Sequence, residues 1–180
     1  MPTPLKAWFM VENFDNPKEM CHFDVPRLVS ADYLASIGVR FEKINIDEGF
    51  DKVVEYGKKL GYECHDVITV NENIENYDEK LKCFFTEHLH TDDEIRICLE
   101  GSGYFDVRDK DNKWIRLKFT VGDLIILPAG IYHRFTVDLS NHVKAMRLFK
   151  TNPSWQAYNR DEQVDSMKIR SEYLARINHR

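Results

Sequence analysis

The sequence predicts a mainly β protein, an antiparallel barrel or sandwich with a few short peripheral helices. The first observation is a series of short apolar or alternating runs between residues 94 and 149, separated by turn residues. Short strands at this spacing are typical of antiparallel sandwiches and barrels. The second is the length of 180 residues, with 43% hydrophobic and 31% charged residues. Such a chain suits one globular domain with a buried core.

The first third of the chain predicts mixed local structure around one well-marked helix. Ser30 is a typical N-cap, and Gly38 follows the last expected helical residue, Ile37. The other elements expected before residue 62 are a strand over 6–11, an irregular stretch over 13–26, a strand over 39–46 and a helix over 50–60.

From residue 62 onward the pattern is mostly that of strands. The elements expected are a strand at 67–70, a short helix that runs into the start of a strand at 77–85, and strands at 94–99, 104–108, 114–119, 124–127, 133–137 and 144–149. The strand at 114–119 alternates between an apolar face and a face with Arg116 and Lys118. Gly101 and Gly103 are expected to form a tight hairpin turn, because glycine adopts backbone angles that β-branched residues do not.

Residues 1–160 are expected to form a single domain, and residues 161–180 a charged C-terminal tail that is helical or partly disordered. Residues 1–20 lack the sustained apolar run of a secretion signal, and no window approaches the length of a transmembrane helix. The four cysteines form no C-x-x-C pair. Two disulfides are formally possible, but free thiols in a reducing compartment are the preferred interpretation. We therefore expect a cytoplasmic protein, with the nucleus also open to it.

The charge balance helps to define the class of partner. The net charge is −5, from 25 basic and 30 acidic residues, and no basic stripe with interleaved aromatic residues is present. These features argue against nucleic acid as the main partner. We expect small-molecule partners, no membrane insertion and a monomer.

The most informative feature is a His-x-His-xxx-Glu cluster, formed by His88, His90 and Glu94, with a further histidine at His133. Three imidazoles and one carboxylate suit a divalent transition metal. Four protein ligands leave two positions of an octahedral ion open for chemistry. If the strand through 88–96 is continuous, its two histidines and Glu94 share one face with Arg96.

Each of these residues also has an ordinary structural explanation. His-x-His pairs are common at surfaces and in polar core positions. Glu94 lies in the acidic stretch 92–94, which could be a solvated turn. A lone residue such as His133 is more often a hydrogen-bonded structural histidine than a ligand. The joint spacing is much harder to explain by accident.

The joint pattern resembles the two sequence motifs of the cupin superfamily. The matching residues are His88-x-His90-xxx-Glu94 and Gly101 in the first motif, and Gly122 and Pro128-x-Gly130-xx-His133 in the second. Two positions depart from it, because Lys82 replaces a leading glycine and Val137 a trailing asparagine. The stretches 87–96, 101–109 and 127–137 are similar to the acireductone dioxygenase family in particular. The resemblance extends from Ala7 to Arg160.

The resemblance implies a cupin-type, jelly-roll-like antiparallel β-barrel over residues 1–160. It implies one Fe²⁺ or Ni²⁺ per chain, held by His88, His90, Glu94 and His133. The reaction implied for the Fe²⁺ form cleaves 1,2-dihydroxy-5-(methylthio)pent-1-en-3-one, an acireductone, with O₂ to 4-methylthio-2-oxobutanoate and formate in methionine salvage. The Ni²⁺ form would give 3-(methylthio)propanoate, formate and carbon monoxide.

Arg96 is expected to be catalytic and to hold the negative charge of the substrate, because its guanidinium is planar and permanently charged. The alternative is a structural ion pair with a carboxylate of 93–94. Phe84 and Phe135 are expected as walls of the substrate pocket, although core packing explains them almost as well. Arg147 is better explained as a surface or structural arginine.

Metal-bound histidines usually need partners that orient their rings, and the candidates here are Asp92, Asp93 and Tyr132. Three other functions also fit the residues. They are a sugar or sugar-phosphate isomerase on the same scaffold, a zinc hydratase or hydrolase in which Glu94 is a base, and a non-catalytic metal-binding or partner-binding cupin.

Overall fold

The computed structural model describes residues 6–150, 154 and 156–178 and is mainly antiparallel β-sheet. The strands are β1 (Ala7–Phe9), β2 (Arg40–Lys43), β3 (Cys64–Asn71), β4 (His88–Leu89), β5 (Glu94–Arg108), β6 (Trp114–Thr120), β7 (Asp123–Leu127), β8 (His133–Val137), β9 (His142–Phe149) and β10 (Tyr158–Asn159). The helices are α1 (Ala31–Ser36), α2 (Phe50–Lys59), α3 (Tyr77–Phe85), α4 (Glu162–Asp165) and α5 (Lys168–Asn178). The predicted fold class is confirmed.

The long strand β5 belongs to both sheets of the barrel. Its first half pairs with β7 and β9, and its second half pairs with β6 and β8. The change of partner occurs at Gly101, whose φ is +69° and where a Cβ atom would lie 2.0 Å from the carbonyl oxygen of His142. The predicted hairpin turn at Gly101 and Gly103 is therefore wrong. The glycine bends one continuous strand between two sheets instead of ending it.

The barrel core lies between these two sheets. One sheet runs β1-β6-β5-β8-β4-β10, and β2 and β3 form the outer strands of the other. The apolar face of β6, predicted from its alternation, is fully buried through Ile115, Leu117 and Phe119. Burying a side chain of this size stabilises the fold by about 1.5–3 kcal/mol.

The opposite face of β6 is also covered. Arg116 is fully buried and forms a two-pronged ion pair with Asp106, with N–O distances of 2.7 and 2.8 Å. Its remaining nitrogen donates to the carbonyl oxygen of Pro17 at 2.9 Å. The irregular N-terminal stretch therefore packs on this face of the sheet.

The helices follow local signals closely, with one difference. The Ser30 hydroxyl accepts a hydrogen bond from the Tyr33 amide at 3.1 Å and begins α1, as predicted. Helix α3, however, runs to Phe85, so the strand start expected at the end of 77–85 is wrong. The next residue, Thr86, caps the helix, and its hydroxyl donates to the carbonyl oxygen of Lys82 at 2.8 Å.

The described part of the C-terminal tail is helical and packs against the barrel. Tyr173 of α5 is 2% exposed and donates its hydroxyl hydrogen to the carbonyl oxygen of Ile37 at 3.0 Å. Residues 179–180 of the expected tail lie outside the described residues. Among the residues that the structure describes, no helix combines the length and apolar character needed to cross a membrane.

Candidate metal centre

The structure brings the four residues of the His and Glu motif together. The potential ligand atoms of His88, His90, Glu94 and His133 all lie within 4.8 Å of one another. The three imidazole ring centres are 4.5 to 5.3 Å apart. His88 and His133 are directly opposite each other where β4 pairs with β8.

The path of the chain to this cluster differs from the continuous strand considered for 88–96. Strand β4 ends at Leu89, and β5 begins at Glu94. The acidic residues between them act as acceptors in a turn: Asp93 accepts from the Ala129 amide at 2.9 Å and Asp92 from the Ser154 amide at 3.0 Å. Asp92 and Asp93 therefore lie in the turn, and Glu94, the first residue of β5, faces the histidines.

Backbone carbonyl groups orient the three imidazoles. The Nδ1 atoms and their carbonyl partners are His88 with Thr86 at 2.6 Å, His90 with Gln156 at 2.7 Å, and His133 with Ile131 at 3.0 Å. A carbonyl oxygen only accepts hydrogen bonds, so each neutral ring carries its proton on Nδ1. The Nε2 lone pairs are then available to a metal ion.

The side chains expected to orient the rings do not do so. Asp92 and Asp93 accept from backbone amides, and the Tyr132 hydroxyl donates to Asp165 at 2.7 Å. None of these candidates hydrogen-bonds an imidazole, so the prediction that they orient the rings directly is wrong. A backbone carbonyl is present at every position, so no sequence pattern distinguishes the ones at 86, 131 and 156.

Glu94 is the electrostatic centre of the cluster. Its Oε2 atom lies 3.1 Å from the Nε2 atoms of both His90 and His133, and its Oε1 atom lies 3.3 Å from an Arg96 nitrogen. Burial by itself acts to raise the pKa of Glu94. The charge of Arg96 and the histidine hydrogen bonds outweigh burial and hold that pKa well below its usual range. Glu94 is therefore ionised at physiological pH.

The surroundings also shift the pKa values of two of the histidines in opposite directions. Burial, and next the nearby charge of His133, lower the pKa of His88 to about 4. Burial also acts to lower the pKa of His90, but its hydrogen bond and charge interaction with Glu94 outweigh burial and raise it. His88 is therefore neutral at physiological pH, and a proton competes with a metal more strongly at His90 than at His88.

The residues fit a divalent transition metal. Bonds from histidine nitrogen to such ions are about 2.0–2.1 Å long, so ligand atoms of one ion are at most about 4.2 Å apart. The observed limit of 4.8 Å differs from this by a few tenths of an ångström. The nitrogen-rich donor set suits Fe²⁺, Ni²⁺ or Zn²⁺ more than Mg²⁺ or Ca²⁺.

The cluster lies at one side of a cavity of about 420 Å³. Phe84, Phe135 and Arg96 line this cavity, together with Phe105 and Phe119. Aromatic and aliphatic side chains form most of its wall. The cavity can therefore hold a small molecule that has a polar end near the cluster and an apolar remainder.

Arg147 also lines the cavity, directly across the β5–β9 pair from Arg96. It forms an ion pair with Asp66, with an Nε–Oδ1 distance of 2.6 Å. Arg147 therefore has the structural partner that the sequence interpretation preferred. It also adds positive charge to the wall of the cavity.

Comparison with known proteins gives the family. A model of the ARD/ARD' family matches residues 6–157. The chain belongs to the acireductone dioxygenase family. It is 47% identical to acireductone dioxygenase 1 of Vitis vinifera over 178 residues, which cover 97% of this chain and 94% of that protein. It is 46% identical to the acireductone dioxygenase of Branchiostoma floridae, over 94% of this chain and 96% of that protein.

A solved acireductone dioxygenase has the same fold. The structure of the Bacillus anthracis protein, described with a cadmium ion in its active centre, matches with a TM-score of 0.68 and 26% identity. The match covers 87% of this chain and 99% of that chain. The cupin-type barrel expected from the motifs is therefore confirmed.

Proposed function

We propose that this protein is a metal-dependent dioxygenase that cleaves acireductone with O₂ in methionine salvage. The observation that carries this proposal is the convergence of three carbonyl-oriented imidazoles and one ionised carboxylate beside a cavity with mostly apolar walls. With Fe²⁺ the products are 4-methylthio-2-oxobutanoate and formate. With Ni²⁺ they are 3-(methylthio)propanoate, formate and carbon monoxide. Membership of the acireductone dioxygenase family supports this activity.

His88, His90, Glu94 and His133 would hold one Fe²⁺ or Ni²⁺ ion per chain. The bound ion supplies positive charge that stabilises the enediolate form of the substrate. In each neutral ring, the hydrogen bond from Nδ1 to a backbone carbonyl leaves Nε2 unprotonated and aimed at the common centre. Glu94 stays ionised, so the site keeps one negative protein ligand.

In this proposal Arg96 holds the negatively charged oxygen atoms of the substrate. It is buried beside Glu94 and lines the cavity. A fixed guanidinium in a site that excludes water stabilises developing negative charge far better than it does in bulk water. Phe84 and Phe135 would enclose the methylthio end of the substrate and exclude water from the enediolate.

The composition of the cavity wall favours this substrate over a sugar. A sugar phosphate carries several hydroxyl groups, and each would need a hydrogen-bonding partner when buried. Apart from the metal cluster, the polar side chains of the wall are Thr69, Lys80, Arg96 and Arg147, and the remaining lining residues are mostly apolar. An apolar thioether tail needs no such partners.

The proposal includes the cellular setting. The four cysteines are free thiols, which supports a reducing compartment such as the cytoplasm, with access to the nucleus. We further propose that the protein acts as a monomer, without nucleic acid, and that residues 1–160 are the catalytic domain with 161–180 attached to it.

The test is metal reconstitution without oxygen, separately with Fe²⁺ and Ni²⁺, followed by addition of acireductone and O₂ and analysis of the products. We expect oxygen uptake with both metals and a different product set with each. A His133→Ala variant should lose both activities, and a variant with His142→Ala, whose side chain is 37% exposed, should keep them. Identical products from the two metal forms would refute the metal-dependent outcome, and no oxygen uptake with either would refute the dioxygenase.

A further inference from the structure

The C-terminal segment, residues 156–178, lies directly on the loop that leads to His133. This loop, residues 128–132, connects β7 to β8. Two arginines of α5 reach its backbone: Arg170 donates to the carbonyl oxygen of Gly130 at 3.0 Å, and Arg176 donates to that of Ala129 at 3.0 Å. Arg170 is 8% exposed. Two consecutive carbonyl groups of the loop are therefore held by one helix.

The same segment encloses the side chain of Tyr132, the residue before His133. Tyr132 is fully buried, and its ring centre lies 4.6 Å from the Arg160 guanidinium and 4.5 Å from that of Arg170. Its hydroxyl donates to Asp165 at 2.7 Å. Contacts between a guanidinium and an aromatic face are stronger when both groups are shielded from water.

Helix α5 also approaches the loop too closely to shift independently. Gly130 has a φ of +86°, and a Cβ atom there would lie 2.6 Å from the carbonyl oxygen of Ile169 and 2.8 Å from the Cβ of Tyr173. The absence of a side chain at 130 is thus required by the helix as well as by the backbone angle.

The loop connects to two of the four proposed ligands. The Gly130 amide donates to the carbonyl oxygen of His90 at 3.0 Å, and the carbonyl of Ile131 accepts from the His133 ring at 3.0 Å. The C-terminal segment also contacts His90 directly, because the carbonyl of Gln156 accepts from that ring at 2.7 Å. A displacement of the loop would therefore move both imidazoles.

We propose that Arg170 and Asp165 are positioning residues of the metal centre, acting through Gly130 and Tyr132 to hold His90 and His133 in the geometry that binds the ion. This inference rests on the proposed metal site. It assigns the tail a role in the site as well as in fold stability. Mutation of residues that orient metal ligands typically weakens metal affinity by about 10- to 100-fold.

The experiment measures the affinity of the metal-free full chain for Ni²⁺ alone, by competition with a chromophoric chelator, at a temperature where each variant is folded. Arg170→Met should weaken binding by about 10-fold, and Arg170→Lys, which keeps a donor, should recover part of the loss. Lys168→Met is the matched control on the same helix, since its side chain is 90% exposed. It should bind Ni²⁺ like the original protein.

A second control separates positioning from general stability. Val53→Ala creates a cavity in the apolar cluster that α2 covers, and this cluster contains no residue of the loop 128–132, so the variant should lower the melting temperature but not the Ni²⁺ affinity. If Arg170→Met does not fold, Asp165→Ala takes its place, because it removes the acceptor of the Tyr132 hydroxyl, together with a 3.5 Å ion pair to Arg160, at a half-exposed position.

The outcomes distinguish this inference from the proposed function. Unchanged Ni²⁺ affinity in the folded positioning variants, with a clear loss in His133→Ala, would overturn the positioning role alone. Equal loss of affinity in Val53→Ala would also overturn it, because the effect would then follow stability. If His133→Ala binds Ni²⁺ as well as the original protein does, the proposed metal site itself fails.

Discussion

At the scale of single residues, the centre combines groups whose charge states are set by different neighbours. Glu94 is buried, yet Arg96 and two imidazoles keep it ionised. His88 is kept neutral by burial. The side chains supply the chemistry, and the backbone carbonyls set the tautomer and direction of each ring. This arrangement leaves Arg96 with two possible roles, as a partner of Glu94 or as a group that holds the substrate.

The two roles of Arg96 predict different results for Arg96→Ala. If Arg96 holds the charge of the substrate, kcat/KM should fall by about 100- to 1,000-fold, while metal content measured on the purified protein stays close to that of the original. Arg96→Lys keeps the charge but not the planar fork, so its kcat/KM should lie between those of Arg96→Ala and the original protein. A loss of metal in proportion to the loss of activity would show that Arg96 is a structural partner of Glu94.

At the scale of elements, strands β5, β6 and β8 are joined by a buried charge network as well as by their backbone hydrogen bonds. Asp106 of β5 pairs with Arg116 of β6 and, at 2.9 Å, with Arg134 of β8. Arg116 also donates to the carbonyl oxygen of Glu19. One guanidinium thereby connects the sheet to the N-terminal stretch that covers it.

Loss of Arg116 should therefore destabilise the whole sheet. Arg116→Met leaves Asp106 with one partner and removes the guanidinium that donates to the carbonyls of Pro17 and Glu19. We expect the free energy of unfolding, measured in urea, to fall by about 3 kcal/mol. The exposed Lys113→Met, just before β6, should change it by less than about 0.5 kcal/mol. A similar small change in Arg116→Met would mean that the network contributes little.

At the scale of the whole molecule, metal binding and folding should be coupled. The four proposed ligands come from β4, the turn after it, β5 and β8, and the unfolded chain does not hold them together. An ion that binds only the folded state stabilises it by about 2.7 kcal/mol when its free concentration is 100 times the Kd. Metal binding also requires deprotonated imidazoles.

The direction of the pH dependence follows from His90. Its pKa is raised in the metal-free fold, so the stability that its proton contributes is present below the unfolded pKa of about 6.5 and is lost as pH rises through the folded value. A metal ion replaces that proton. The rise in melting temperature on adding Ni²⁺ should therefore be larger at about pH 8 than at about pH 5.5.

Calorimetry with and without Ni²⁺ tests this coupling. A chelator should reverse the rise in melting temperature. Mg²⁺, which prefers oxygen ligands, should cause little change. An equal rise at both pH values, or an equal response to Mg²⁺, would contradict binding through the imidazoles.

Much of the secondary structure could be predicted because it depends on neighbouring residues. The N-cap at Ser30, the helix expected over 50–60 and the alternation of β6 depend on local signals, and the structure agrees with each of them. The predicted turn at Gly101 and Gly103 is wrong because glycine permits several conformations. The choice between a hairpin and a bent strand depends on β6, β8 and β9, which come later in the chain.

By itself, the sequence determined which chemical groups were available: three imidazoles, one carboxylate and the turns that let them meet. Their types and spacing are written in the side chains, and these support one kind of metal site. Only the tertiary structure decided which carbonyl groups orient the rings and that the C-terminal segment packs against the loop before His133. Those contacts join residues as many as 66 positions apart, and long-range packing of the whole chain selects them.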